Sequence, residues 1–251
     1  ERYGQRVSFV HAATVVSPGV AEGTIEPLQK RATELQALLE DTAGRASGRG
    51  VSLLWNCEER QRIALAGTPL HWTDLAFEEG VLLVYPGNTF FPADYDVRQR
   101  PWYVEAKRQA RLLWGSPYPD ATSGRLLLPC SRAFFGRTGE VRGVAAAHLA
   151  LEGVLDALEF QEVAGFQSAA LLDEHGDVVL STLSRGADFG QGTHQNRAVD
   201  REPFPVTQVR DAIIGKKRDG RVFDERGLYV YQRLEGNDWS LVATLDSAIV
   251  D

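Results

Sequence analysis

Between Asp94 and Arg108 the chain reads DYDVRQRPWYVEAKR, with Arg98 and Arg100 placed immediately before Trp102 and Tyr103. A guanidinium presents a planar fork of donors that matches a carboxylate. An indole N–H donates from the edge of a large apolar plate. Arg100 and Trp102 are two apart, so in an extended segment they face the same way, while Arg98 has an odd offset from Trp102 and points away. Tyr95 upstream and Tyr118 downstream are amphipathic wall residues. Together they could hold a small organic anion with aromatic walls around its carbon skeleton. The plainer reading is a surface arginine beside a structural tryptophan in a turn that leads into a helix. The residues alone leave both readings open.

Other chemistry is hard to find. There is no G-x-x-x-x-G-K-[ST] and no G-x-S-x-G, and FGQGTHQN has two glycines without a third. His11, His71, His148, His175 and His194 are scattered without ligand spacing. DEHGD lacks the length and alternation of a calcium loop and reads as hairpin turn chemistry. No carboxylate pair is marked out by its surroundings. The pattern therefore calls for no catalytic set, metal or cofactor. A net charge of −7 argues against a broad surface for nucleic acid.

Positioning these residues requires a scaffold, and 43% hydrophobic content over 251 residues is enough for one large core or two modest ones. No apolar run is long enough to span a bilayer. The chain opens at Glu1 and contains no methionine, so we expect a piece of a longer protein whose signal or membrane helix lies elsewhere. Cys57 and Cys130 could form one bridge or remain two separate buried thiols; nothing in the sequence brings them together.

Residues 19–46 read as a helix with a narrow apolar seam at Ile25, Leu28, Ala32, Leu35 and Leu39. The seam fits either a dimer stripe or packing on its own domain. AGRASGRG ends this helix, and residues 51–67 read as mixed and helical. WTDLAFEEGVLLVYPG then forms a hairpin turning at EEG, with Val81–Tyr85 as its second strand. Pro101 is preset for the first turn of a short helix over 102–111. Strands are expected at 112–114, 125–135 and 140–151, followed by a helix at 151–160. The order then restarts on a smaller scale: a hairpin in SAALLDEHGDVVLST, a loop, a helix at 206–214, and strands in RVFDERGLYVYQRL and WSLVATLD. The expected class is α+β, with mainly antiparallel sheets in two units.

YDVRQRPWYVEA, WGSPYPDATSG and GEVRGVAAAHLAL resemble the signature of double Cache sensor domains, the extracytoplasmic ligand-binding regions of bacterial chemoreceptors, sensor histidine kinases and related receptors. The resemblance implies a long N-terminal helical region (1–47) followed by two PAS-like Cache subdomains. The membrane-distal one (48–162) would bind ligand, and the membrane-proximal one (163–251) would follow it. It implies a periplasmic module of an inner-membrane protein, non-enzymatic in this region. Signals would pass to a cytoplasmic output domain outside the chain, with a homodimer through the N-terminal helix as one option. In members that bind amino acids, Arg and Trp hold the carboxylate and two Asp hold the ammonium. Carried over, this gives Tyr95, Arg100, Trp102, Tyr103, Tyr118 and Asp120, with His148 where the second Asp belongs. Neutral imidazole carries no negative charge to set against an ammonium. The expected ligand is therefore a small organic acid without an amine. The alternatives are an amino-acid sensor and a structural or dimerising module without a small-molecule ligand.

Overall fold

The computed structural model describes residues 7–8, 12–28, 70–151, 153–154, 163–184, 201–234 and 238–249. Contacts between Cα atoms divide the chain into two compact units, each with its own antiparallel sheet. Residues 22–28 are helical. The expected helix therefore starts later than residue 19, since 19–21 form a turn and irregular chain; residues 29–46 with the rest of the seam, the stretch 51–67, and most of the expected helix at 151–160 lie outside the described residues.

In the first unit the strands are β1 (Ala13–Val16), β2 (Leu70–Phe77), β3 (Val81–Tyr85), β4 (Leu113–Trp114), β5 (Tyr118–Pro119), β6 (Leu126–Phe135) and β7 (Val141–Ala150). Their order is β1-β3-β2-β7-β6-β4, with β5 also pairing β6. The β2–β3 hairpin turns at EEG as its residues require: Gly80 has φ +86, a conformation that favours glycine. β2 and β3 are buried almost throughout, so they read as near-continuous apolar runs without alternation. One face of the sheet carries Trp72, Ala76, Leu82, Val84, Val144 and Ala146. The opposite face carries Leu70, Leu75, Leu83 and Tyr85.

One irregularity in β2 bears on the site. Leu70 pairs with Leu149 and Trp72 with His148, so two residues of β2 advance against one of β7 and His71 is the extra residue. Such a bulge re-aims side chains. It is why Leu70 and Trp72, two apart, lie on opposite faces.

The helix that covers the first face, α1 (Pro101–Gln109), starts on a proline at its first position. It buries Trp102, Tyr103 and Ala106 and ends at Ala110, which is in the left-handed conformation. A short 3-10 turn, Val97–Gln99, precedes it; Asp96 caps this turn by accepting from the Arg98 N–H. Arg100 sits at the N-cap of α1 in extended backbone and makes no side-chain cap. A guanidinium has no acceptor, so it cannot cap, and its side chain is directed elsewhere.

The second unit has the order β10-β9-β8-β13-β12-β11. Its strands are β8 (Phe166–Leu172), β9 (Asp177–Ser181), β10 (Glu202–Pro203), β11 (Asp219–Asp224), β12 (Gly227–Arg233) and β13 (Ser240–Leu245). A second helix, α2 (Thr207–Ile214), buries Val209, Ala212 and Ile213 in a core with Leu172, Tyr229, Tyr231 and Val242. DEHGD is a turn, with Asp173 Oδ1 accepting from the N–H groups of His175 and Asp177 at 2.9 and 3.0 Å. The mainly antiparallel α+β architecture expected from the element order is what both units show.

Candidate functional site

Arg100 is only 2% exposed. Its guanidinium carbon lies 5.6 Å from the centre of the Tyr95 ring and 5.2 Å from that of Tyr118, and one terminal N–H donates to Pro119 O at 2.9 Å. The two ring faces are the aromatic walls that the spacing suggested, and their negative quadrupoles favour the cation between them. Arg98 takes another course: it pairs with Asp96 at 2.8 Å, with over a third of its side chain exposed. Arg98 is thus engaged elsewhere, but Trp102 lies in helix α1, so the extended-segment spacing that set it beside Arg100 does not apply.

β5 and β7 bring Tyr118 and His148 together. The Tyr118 hydroxyl lies 2.9 Å from His148 Nδ1. Trp102 packs edge-on against the same imidazole, with ring centres 5.1 Å apart. His148 is fully buried. Burial pushes the phenols of Tyr95 and Tyr118 well above their usual range, so both remain neutral hydroxyls.

Asp120 follows β5 and shapes its own turn. Its Oδ2 accepts from the Thr122 hydroxyl (2.6 Å), the Ser123 N–H (2.8 Å) and the Ser123 hydroxyl (2.7 Å). His71 Nε2, re-aimed by the bulge, stands 4.0 Å from the same oxygen. Tyr103 departs from its expected role. Its hydroxyl donates to Glu78 in the β2–β3 turn, and Lys107 donates to the other oxygen of Glu78 at 2.7 Å. Burial alone would raise the Glu78 carboxyl, but these two donors outweigh it and hold it low. Tyr103 thus ties α1 to the hairpin and does not present its hydroxyl to Arg100.

The residue that sequence reasoning missed is Asp74. It lies on β2 in LHWTDLAF, 5% exposed, and its Oδ2 is 3.0 Å from His148 Nε2. Burial pushes its carboxyl up, while the neighbouring His148 pulls it partly back. Among the described residues its other oxygen, Oδ1, is buried and finds no hydrogen-bond partner, and neither does the buried indole N–H of Trp72 two residues earlier. A signal was available: a carboxylate inside an otherwise apolar strand has to be paired or functional.

No group of His, Cys, Asp and Glu side chains among the described residues is arranged to hold a metal ion. Cys130 is a free, half-buried thiol whose burial pushes it up and so makes it less reactive. Cys57 lies outside the described residues.

A buried arginine between aromatic faces, with buried carboxylates nearby, is an arrangement whose chemistry suits a small polar ligand. Residues 77–155 match the family described as methyl-accepting chemotaxis protein-like, first PDC sensor domain, which bears out the double Cache resemblance. The chain is 31% identical over 90 residues to the methyl-accepting chemotaxis protein McpA of Pseudomonas putida, covering 36% of this chain and 14% of that protein. It is 29% identical over 168 residues to McpC of Bacillus subtilis, covering 66% of this chain and 23% of that one. The chain thus spans less than a quarter of the length of these relatives. Among solved structures, it resembles the ligand-binding domain of the Pseudomonas aeruginosa chemoreceptor PctB in complex with L-Arg. That match has a TM-score of 0.50 and 18% identity, over 87% of this chain and 88% of that one. The ligand-binding domain of the Pseudomonas fluorescens chemoreceptor CtaA with L-leucine is similar to the same degree, with a TM-score of 0.50 over 88% and 89% of the two chains. These likenesses show the fold. Among the described residues, no helix is long and apolar enough to cross a membrane.

Proposed function

We propose that this chain is the extracytoplasmic sensor region of a membrane-anchored chemoreceptor. Its first unit would bind a small ligand carrying both a carboxylate and an amino group, and would pass the resulting shift to an output domain elsewhere in the protein. Arg100 would take the carboxylate, with the Tyr118 hydroxyl beside it and the faces of Tyr95 and Trp102 around the ligand's carbon atoms.

The observation that carries the amino group is Asp74. The expectation of an amine-free acid rested on His148 standing where a second Asp belongs. Asp74 returns a buried carboxylate to the same place from the neighbouring strand, with an oxygen available to accept. The solved relatives named above, which hold L-Arg and L-leucine, are consistent with this chemistry. A second reading, an amine-free carboxylate, is favoured by the burial that holds Asp74 toward its neutral form.

A thermal-shift panel of the twenty common L-amino acids against C2–C4 carboxylates, followed by titration calorimetry, separates the two readings. Stabilisation by one or more amino acids, and none by their amine-free counterparts, is the expected result. Stabilisation by amine-free acids alone would establish the second reading. No response to any compound would support a module driven by a partner protein.

A further inference from the structure

The strand that carries Asp74 holds a second buried polar group, to which the carboxylate and amino group of a ligand give no role. Trp72 is 3% exposed, and its indole N–H has no hydrogen-bond partner among the described residues. A buried indole N–H ordinarily finds an acceptor, because without one it forfeits the hydrogen bond it made to water. Trp72 pairs with His148 and Asp74 with Ala146 in regular register, so both side chains stand on one face of β2. The candidate site lies on that face. Trp72 belongs to the same packed cluster as Tyr95, Trp102 and Tyr118, and its cross-strand partner His148 contacts the last two. A donor, Trp72 Nε1, and an acceptor, Asp74 Oδ1, thus belong to neighbouring side chains of one buried surface, and among the described residues neither is matched. We propose that Trp72 is a specificity-determining residue, whose indole N–H takes an acceptor on the ligand's side chain and so selects amino acids that carry an uncharged hydroxyl or carboxamide.

The chemistry of the two groups narrows the class. An indole N–H donates and does not accept, so an ammonium or guanidinium side chain, which only donates, leaves it unmatched. An aliphatic side chain covers the N–H and offers it nothing. A carboxylate side chain accepts, but it brings a further negative charge beside Asp74, whose ionisation Asp120 already disfavours. A hydroxyl or a carboxamide accepts from the indole and has a hydrogen of its own to donate, which complements an N–H next to a carboxyl oxygen. Discrimination against an apolar isostere is then strong, because that isostere shuts the N–H away from water without an acceptor.

This inference rests on the amino-carboxylate reading of the site, and the test separates the two. L-Threonine and L-valine have nearly the same shape and differ by a hydroxyl in place of a methyl group. L-Serine with L-alanine, and L-asparagine with L-leucine, extend the comparison. Titration calorimetry measures each compound on the parent chain and on Trp72→Phe, which keeps an aromatic ring and removes the N–H. In the parent, the polar member of at least one pair should bind about tenfold tighter or more than its apolar counterpart. In Trp72→Phe that ratio should fall to within about twofold. A second measurement needs no variant. In proton–nitrogen spectra of the parent labelled at its five tryptophans, the Trp72 indole signal, assigned through its backbone, should move downfield with the polar member of the pair and not with the apolar one. Amino acids that bind without any such preference, or a preference that survives in folded Trp72→Phe, would overturn the role of Trp72 and leave the amino-carboxylate reading standing. A Trp72 signal that moves alike with both members of a pair would give the indole to the part of the ligand they share, and would overturn that role equally. Failure of every amino acid to bind would overturn the amino-carboxylate reading, and the selection by Trp72 with it.

Discussion

Among the described residues of the first unit, Arg100 and Asp74 are the least exposed of the Arg, Lys, Asp and Glu side chains, and they behave differently. Arg100 remains a cation under any ordinary condition, set between two ring faces and a carbonyl. Asp74 is held toward its neutral form by burial. A carboxyl raised in the folded state favours folding at low pH, and that contribution is lost as pH rises from the ordinary Asp value of about 3.9 through the raised one. Asp74→Asn should therefore melt a few degrees higher than the parent at neutral pH. The difference should shrink toward zero as the pH is lowered to the ordinary Asp value, which scanning calorimetry across that range can follow. The same variant should bind an amino-acid ligand at least about tenfold more weakly, since its accepting charge is gone. A neutral-pH Tm below that of the parent would show that the ionised Asp74 stabilises the fold. At this scale the sequence was partly legible. Arg100, Tyr118 and His148 were found from spacing and resemblance. Asp74 was passed over because its contact with His148 crosses between strands that lie more than seventy residues apart in the chain. The hydroxyl of Tyr103 was misplaced because its partner, Glu78, belongs to the turn of a distant hairpin.

Helix α1 and the β2–β7 pair do the positioning. Tyr103 and Lys107 both reach Glu78, so α1 is fastened to the β2–β3 turn. Tyr103→Phe should cost about 1 kcal/mol of stability in urea titration and leave ligand affinity within about twofold of the parent. Tyr118→Phe should instead weaken binding about tenfold or more. Equal effects on affinity would return Tyr103 to the site. On the strand side, Gly143 lies where β7 passes between β2 and β6, and a Cβ there would collide with the Ala76 carbonyl and come within 2.6 Å of Phe134 Cζ. Gly143→Ala should destabilise by about 1–3 kcal/mol, read as a lower urea midpoint with an unchanged slope. Local signals made most of these elements legible: Pro101 for α1, EEG for the hairpin, GRTGE between β6 and β7. β5 was not, because it is only two residues long, and β1 was not, because it is defined by pairing with the remote strand β3. The bulge at His71 was hidden for the same reason: a register shift is a property of two strands and leaves no trace in one.

At the scale of the molecule, the chain divides into a first unit that carries the candidate site and a second unit held by its own core. In the second unit Asp173 accepts two turn N–H groups and pairs with Arg201 at 2.6 Å, while Arg201 packs beside the Trp239 ring. Asp173→Ala should lower stability by about 1–3 kcal/mol and leave ligand affinity unchanged within about twofold, as measured by melting and calorimetry on the same preparation. A large loss of affinity would place part of the binding energy in the second unit. Recognition of a small amino-carboxylate by the first unit, as proposed, depends on the buried charge of Arg100. Titration calorimetry with the tightest amino acid from the panel, on the parent, Arg98→Ala and Arg100→Ala, tests it most directly. Arg100→Ala should reduce affinity by roughly thirtyfold to several thousandfold, the equivalent of about 2–5 kcal/mol for a desolvated charge-assisted contact. Arg98→Ala, whose parent side chain is turned out toward Asp96, should change affinity by no more than a few-fold. Undiminished binding by Arg100→Ala, or a larger loss in Arg98→Ala, would contradict the account.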